Sequence, residues 1–169
     1  MSDKPYGEII EVYSQTAVLQ LQRVVVNLHS GQLHTCNITV APLSGASPRP
    51  DYSLKQTMQF SEDNLAMFCL GIMGLVTSQP IKGSNRSDSA KVCYVNTNPD
   101  GTINVVLSQQ SRRTENSQTN SKASQSIVFN KSSRFKILRL AATQLAQNSS
   151  DYELNIADTL NLLKASALR

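Results

Sequence analysis

Two stretches of this sequence show the same succession of local patterns, and this repeat constrains the fold more than any other feature. Residues 33–76 and 102–145 each predict a strand, a loop, a strand ending in Phe60 or Phe129, and a helix. One further strand precedes each stretch, across a turn that contains Gly31 or Gly101. One such unit cannot cover the apolar face of its own sheet, so we expect the two units to pack together.

The predicted fold class is therefore α+β. It consists of duplicated antiparallel strand-hairpin-strand-helix units, with two central helices packed between curved sheets, and a C-terminal helix. All 169 residues are expected to form one domain. The first unit spans 8–77, the second 90–147, and the last helix 152–169. Residues 110–123 are almost wholly polar, which predicts a mobile loop between two strands.

Alternating patterns with many β-branched residues predict the strands. These cover 8–13, 17–28, 33–40, 54–60, 91–97, 102–109 and 124–129, and the proline-punctuated segment 41–53 is expected to be a loop. The Asn98–Gly101 turn joins two of the strands in a hairpin.

Helix signals follow both phenylalanines. Ser61 is the expected N-cap of a helix that continues to about Val76, and Gly71 and Gly74 inside it indicate a close approach to a sheet or a second helix. Ser132 or Ser133 is expected to cap the second helix. Its predicted apolar stripe is Phe135, Leu138, Ala142 and Leu145. The last helix, predicted over 153–168, has an apolar face of Ala157, Leu160, Leu163 and Ala167.

Composition excludes several classes of protein. The segment after Met1 has no apolar run typical of a signal peptide, and the longest apolar run, twelve residues, is too short for a bilayer, which needs about 20. The three cysteines fit neither a disulfide framework nor zinc-ligand spacing, so we expect small buried side chains in a reducing compartment. The sequence thus predicts an intracellular, cytoplasmic protein without a membrane partner.

No catalytic pattern emerges. His29 and His34 lie around one hairpin turn, where histidines are usually solvated, and no Cys/His/Asp/Glu set has metal-ligand spacing. Neither a phosphate-binding glycine loop nor a Gly-x-Ser-x-Gly elbow is present. We expect no enzyme activity, no cofactor and no metal.

Charge is distributed unevenly. The chain is +4 overall, yet the span from Lys82 to Arg139 holds ten basic and three acidic residues, a net charge of +7. A basic half is the electrostatic pattern of a polyanion-binding protein, although an ordinary solvated surface would explain it equally well.

The second unit also has a recognisable order. Residues 91–95, the turn 98–101, residues 103–107, a basic polar loop and residues 126–130 precede a helix. Over residues 18–147 the sequence resembles the fold of positive-cofactor-type transcriptional coactivators, plant Whirly proteins and mitochondrial guide-RNA-binding proteins. The chain lacks the Lys-Gly-Lys-Ala-Ala-Leu segment of Whirly proteins, so their large ring assemblies are not expected.

This resemblance implies a non-catalytic protein that binds single-stranded DNA, or less favourably RNA, in a regulatory role such as transcription or in a protective one. A homo-oligomer, dimeric or higher, is expected. Cations that neutralise phosphates and aromatic rings that stack on bases are the residue types such binding needs. The candidates are Lys91, Tyr94, Arg112, Arg113, Lys122, Lys131, Arg134 and Lys136, with Arg139 beside them.

A second hypothesis is a protein-interaction or assembly module without affinity for nucleic acid. The last helix would then either dock on its own core or pair with another chain. Salt-sensitive binding that depends on Arg112 and Arg113 would favour the first hypothesis. A change of mass on altering Leu160 and Leu163 would favour the second.

Overall fold

The computed structural model describes residues 6–45, 48–76, 80–83, 89–111 and 122–167. The strands are β1 (Tyr6–Tyr13), β2 (Ala17–Leu28), β3 (Gly31–Ser44), β4 (Arg49–Pro50), β5 (Gln56–Gln59), β6 (Ile81–Lys82), β7 (Ser89–Thr97), β8 (Ile103–Ser111) and β9 (Lys122–Phe129). The helices are α1 (Glu62–Ile72), α2 (Lys131–Asn148) and α3 (Ile156–Ala167). Short 3-10 turns lie at Tyr52–Leu54 and Ser150–Tyr152.

The strands form two antiparallel sheets, which confirms the α+β class. In sheet 1, β1, β2 and β3 are neighbours in that order, and both β4 and β5 pair with β3. In sheet 2 the order is β6-β7-β8-β9. All the strands of sheet 1 precede α1 and all those of sheet 2 precede α2, whereas the duplication itself stays a prediction.

Helix α1 packs on sheet 2, and helix α2 packs on sheet 1. Each central helix therefore contacts the sheet formed by the other half of the chain. An ideal Cβ built on Gly71 of α1 would lie 2.9 Å from Cβ of Val95 in β7, so the helix and sheet 2 touch closely. In α2, the buried Gln144 donates through Nε2 to the carbonyl oxygens of Val24 (3.1 Å) and Thr35 (2.9 Å) in sheet 1. The close approach predicted for Gly71 is confirmed, and sheet 2 is what it approaches.

Asn148 makes a second polar contact between α2 and sheet 1. Because β5 pairs with β3 only from Asn37 to Val40, no strand among the described residues lies beside the β3 edge at His34. Asn148 Oδ1 accepts from the His34 N–H at 2.7 Å, and Nδ2 donates to the His34 carbonyl at 2.8 Å. The amide side chain therefore replaces a neighbouring strand, since it offers one donor and one acceptor.

One apolar core fills the space between the sheets and helices. The inward residues of β2 and β3 alternate as the sequence pattern predicts: Leu19 pairs with Val40 and Leu21 with Ile38, all fully buried. The three cysteines are free and buried, as expected. Burial raises the pKa of the Cys36 thiol to about 12 and that of the other two further, so their thiols stay protonated at neutral pH.

The prediction that α1 reaches Val76 is wrong, because the helix ends at Ile72. Gly74 has a positive φ of 75° and lies beyond the helix, where its N–H donates to Gly71 O (3.0 Å), while Leu75 N–H donates to Leu70 O (3.0 Å). These are the two bonds of a Schellman motif, in which glycine takes the left-handed position that other residues avoid. Gly74 is thus a stop signal.

The predicted cap of α2 is also wrong. Asn130 occupies the N-cap position and makes no side-chain bond to the helix backbone. Ser132 instead donates its hydroxyl hydrogen to Asn130 Oδ1 at 2.6 Å. The expected serine cap is absent because the helix begins at Lys131, two residues earlier than a cap at Ser132 requires.

Three further boundaries differ from the predictions. Strand β3 continues through Pro42, which pairs with Ala17 at the start of β2, so part of the expected loop 41–53 is strand. The predicted loop 110–123 is shortened, since β8 reaches Ser111 and β9 begins at Lys122. Its remaining residues, 112–121, lie outside the described part of the chain.

Candidate nucleic-acid interface

The exposed face of α2 carries an aromatic ring among cations. Lys131, Phe135 and Arg139 are four residues apart and Lys136 lies beside them, all exposed to solvent. We call these four residues the α2 ridge. Side chains four apart on a helix are neighbours at about 5–6 Å, so the ridge extends for roughly 12 Å along the helix. Phe135 remains 69% exposed, an unusual position for a large apolar ring.

The prediction that Phe135 belongs to the buried stripe of α2 is therefore wrong. Two other members of the predicted stripe, Ala142 and Leu145, are buried as predicted, and Leu138 is partly buried against the core. The remaining buried residues of the helix are Ile137, Leu140, Ala141, Gln144 and Ala146. Gln144 and Asn148 explain the rotation, because their hydrogen bonds to the β2 and β3 backbone bring a polar side of the helix onto sheet 1. A pattern based on apolar residues alone missed this face, and Phe135 was thereby missed as a candidate.

The charge on α2 opposes its own stability. The helix contains four cations, all in its first half, and no acidic residue. A cation in the first turn, here Lys131, is unfavourable by about 0.3–1 kcal/mol, because that end of the helix dipole is positive. The same arrangement attracts anions, and the fold alone gives no reason for it.

Two of the ridge cations have acidic neighbours. Arg139 pairs with Glu8 of β1 at 3.5 Å, but both side chains are 57% exposed, so the ion pair is weak and open to exchange. Lys131 lies over the β7–β8 turn at Gly101, near Asp100. The pKa of the Asp100 carboxyl is lowered mainly by hydrogen bonds from Thr102, and the Lys131 charge contributes less. Lys136 has no ion-pair partner among the described residues.

The remaining predicted residues do not join the ridge. Lys91 donates from Nζ to the carbonyl oxygen of Thr57 at 2.8 Å, so it ties β7 to the open edge of β5. Tyr94 is half-buried on the opposite face of β7, since side chains alternate along a strand. Lys122 begins β9 in register with Gln110. Arg134 is half-buried, and its Nε has no hydrogen-bond partner within the described residues.

Arg112 and Arg113 lie outside the described residues. The structure thus brings Lys131, Lys136 and Arg139 together, places Lys91 and Tyr94 elsewhere, and adds Phe135. The signal in the sequence was the spacing, because Phe135 lies four residues from a cation on either side, whereas its exposure is known only from the structure.

The two histidines have different surroundings. His29 is exposed in the β2–β3 turn, whereas His34 is partly buried and its Nδ1 has no partner within the described residues. Burial, and to a lesser degree the Arg23 charge, lower the pKa of His34. In the described part of the chain no three His, Cys, Asp or Glu side chains are grouped to hold a metal ion. Within that same part, no helix has the length and apolarity needed to cross a membrane.

Comparison with known proteins does not supply a relative. No protein-family model matches the chain, and no curated protein matches it in sequence. Functional inference therefore rests on the residues and their geometry.

Proposed function

We propose that this protein binds single-stranded nucleic acid through the α2 ridge. The observation that carries the proposal is Phe135, exposed among Lys131, Lys136 and Arg139 on a helix without acidic residues. Cations neutralise phosphates, and an aromatic face stacks on an unpaired base with about 1–3 kcal/mol per base. Fold-level support comes from the Whirly-type resemblance of the sequence.

The ridge favours single strands over duplexes. Bases in a duplex are already stacked on one another and are unavailable to Phe135, whereas those of a single strand are free to stack. Stacking on an aromatic ring and phosphate neutralisation both tolerate any base, so we expect little dependence on sequence. Single-stranded DNA is the first choice of ligand, with RNA as the alternative.

The test is fluorescence anisotropy of labelled single-stranded and duplex oligonucleotides over a salt series. We expect micromolar or tighter binding to single strands, weaker binding to duplex, and loss of affinity with salt. Phe135→Ser should weaken single-strand binding roughly 5- to 150-fold, the equivalent of one lost stacking contact. Lys136→Gln should reduce the slope of log affinity against log salt by about 0.7, the value for one phosphate contact.

The matched control is Lys164→Gln, which removes an exposed cation from α3. Its effect on affinity should be small, because Lys164 is not part of the ridge. Equal losses for Lys164→Gln and Lys136→Gln would mean that net charge alone attracts the oligonucleotide. Absence of single-strand binding at low salt would remove the proposal.

A further inference from the structure

A cavity of about 270 Å³ opens where α1, α2 and α3 meet. Its apolar wall consists of residues from all three helices and from the segment before α3. These are Ala66, Leu145, Leu154, Leu162 and Leu163. Leu162 is 57% exposed and is therefore available to a partner.

The polar part of the lining consists of the hydroxyl residues Ser149, Thr159 and Ser166 and of two carboxylates at the first turn of α1. Glu62 and Asp63 are exposed, and they stabilise the positive end of the α1 dipole. Among the residues that the structure describes, neither forms an ion pair with a cation. The cavity thus combines an apolar wall with two open negative charges.

The α2 ridge is the complement of this cavity. It presents one exposed phenylalanine, suited to an apolar wall, with cations one helical turn away on either side, suited to the carboxylates. Within one molecule the two cannot meet, because Phe135 and Leu145 lie on different faces of one rigid helix, roughly 15 Å apart along its axis. The occupant must come from another copy of the chain.

We propose that the α2 ridge of one copy docks into the α1–α3 cavity of a second copy. The contact is heterologous, since ridge and cavity are different surfaces, so each added copy offers another free ridge and another free cavity. Because the same ridge carries the proposed nucleic-acid site, bound oligonucleotide and a docked second copy exclude each other.

Complementation between two variants tests this contact. Phe135→Ser with Lys136→Glu disables the ridge, and Asp63→Lys with Leu162→Lys disables the cavity; all four side chains are exposed, so both proteins should fold. Sedimentation velocity of the wild type should reveal concentration-dependent association that weakens with salt. Each variant alone should be monomeric, and Lys164→Glu should behave as the wild type.

An equal mixture of the two variants gives the decisive result. Each keeps the half that the other lacks, so the mixture should form a 1:1 dimer and nothing larger. A monomeric wild type, self-association of either variant alone, or a mixture that stays monomeric would each overturn the docking proposal.

Oligonucleotide binding separates the two proposals. The cavity variant retains its ridge and should bind single strands at least as tightly as the wild type does, because no second copy competes for that ridge. A chain that self-associates and complements as described, yet binds no oligonucleotide, would refute the proposed function and leave the docking contact established. A chain that binds oligonucleotide but does not self-associate would refute the docking proposal and leave the proposed function in place.

Discussion

Replacement of Asn148 tests whether its hydrogen bonds hold α2 on sheet 1. Asn148→Ala removes two short hydrogen bonds to the backbone of His34, at 2.7 and 2.8 Å, and leaves that part of the β3 edge without a partner. Each bond contributes about 1 kcal/mol net. Alanine returns about 0.5 kcal/mol through its higher helix propensity, so we expect a loss of about 1.5 kcal/mol.

Urea unfolding followed by circular dichroism measures this loss, and in a thermal scan it corresponds to a Tm lower by roughly 3–6 °C for a chain of this size. Asn148→Asp should be less stable still at neutral pH, because a carboxylate oxygen would face the His34 carbonyl oxygen. Gln147→Ala is the matched control, since Gln147 is exposed one position earlier in the same helix. Equal stability of Asn148→Ala and Gln147→Ala would refute the edge-pairing role.

Three other outcomes are expected. Gly71→Ala should lower stability by about 1 kcal/mol in urea titrations, because overpacking against β7, about 1–3 kcal/mol, exceeds the gain of about 1 kcal/mol in helix propensity; a net gain would contradict the close approach. Phe135→Ser should change the unfolding free energy by less than about 0.5 kcal/mol, whereas Leu140→Ala should cost about 2–5 kcal/mol. The folded-state pKa of His34 lies below its ordinary value of 6.5, so the unfolded chain takes up the proton first and stability falls as pH drops through that value. Wild-type Tm should therefore decrease between about pH 7.5 and 5.5 more than that of His34→Gln, with His29→Gln as the control that keeps the full decrease.

The strands were predictable because their information is local. Alternation along β2 and β3 places Leu19, Leu21 and Ile38 on one face, and that face became the core. The Asn98–Gly101 turn closes its hairpin as its residue types require, with Gly101 at a positive φ of 81°. Period-two patterns and turn chemistry act over a few residues, so the sequence determines them directly.

The ends of the helices and the rotation of each helix about its own axis were harder to predict from the sequence. The apolar run after Ile72 suggested a longer α1, yet Gly74 stops it, since one residue with a left-handed backbone outweighs the apolar pattern that follows. In α2, the predicted buried stripe included neither Gln144 nor Asn148. Their partners are backbone groups more than 100 positions earlier in the chain, and no local pattern includes those groups.

The candidate site likewise has features that the sequence predicts and features that only tertiary packing determines. The sequence alone determined that the second half of the chain is basic and that Lys136 and Arg139 belong to one helix, whereas Lys131 was predicted to precede that helix and is its first residue. Only the tertiary structure decided which face of that helix meets solvent, and so placed Phe135 among those cations. The physical reason is that a helix with apolar residues on more than one side takes its rotation from what it packs against. Here α2 packs against sheet 1. The β3 backbone at His34 requires hydrogen-bond partners, and the polar side of α2 supplies them.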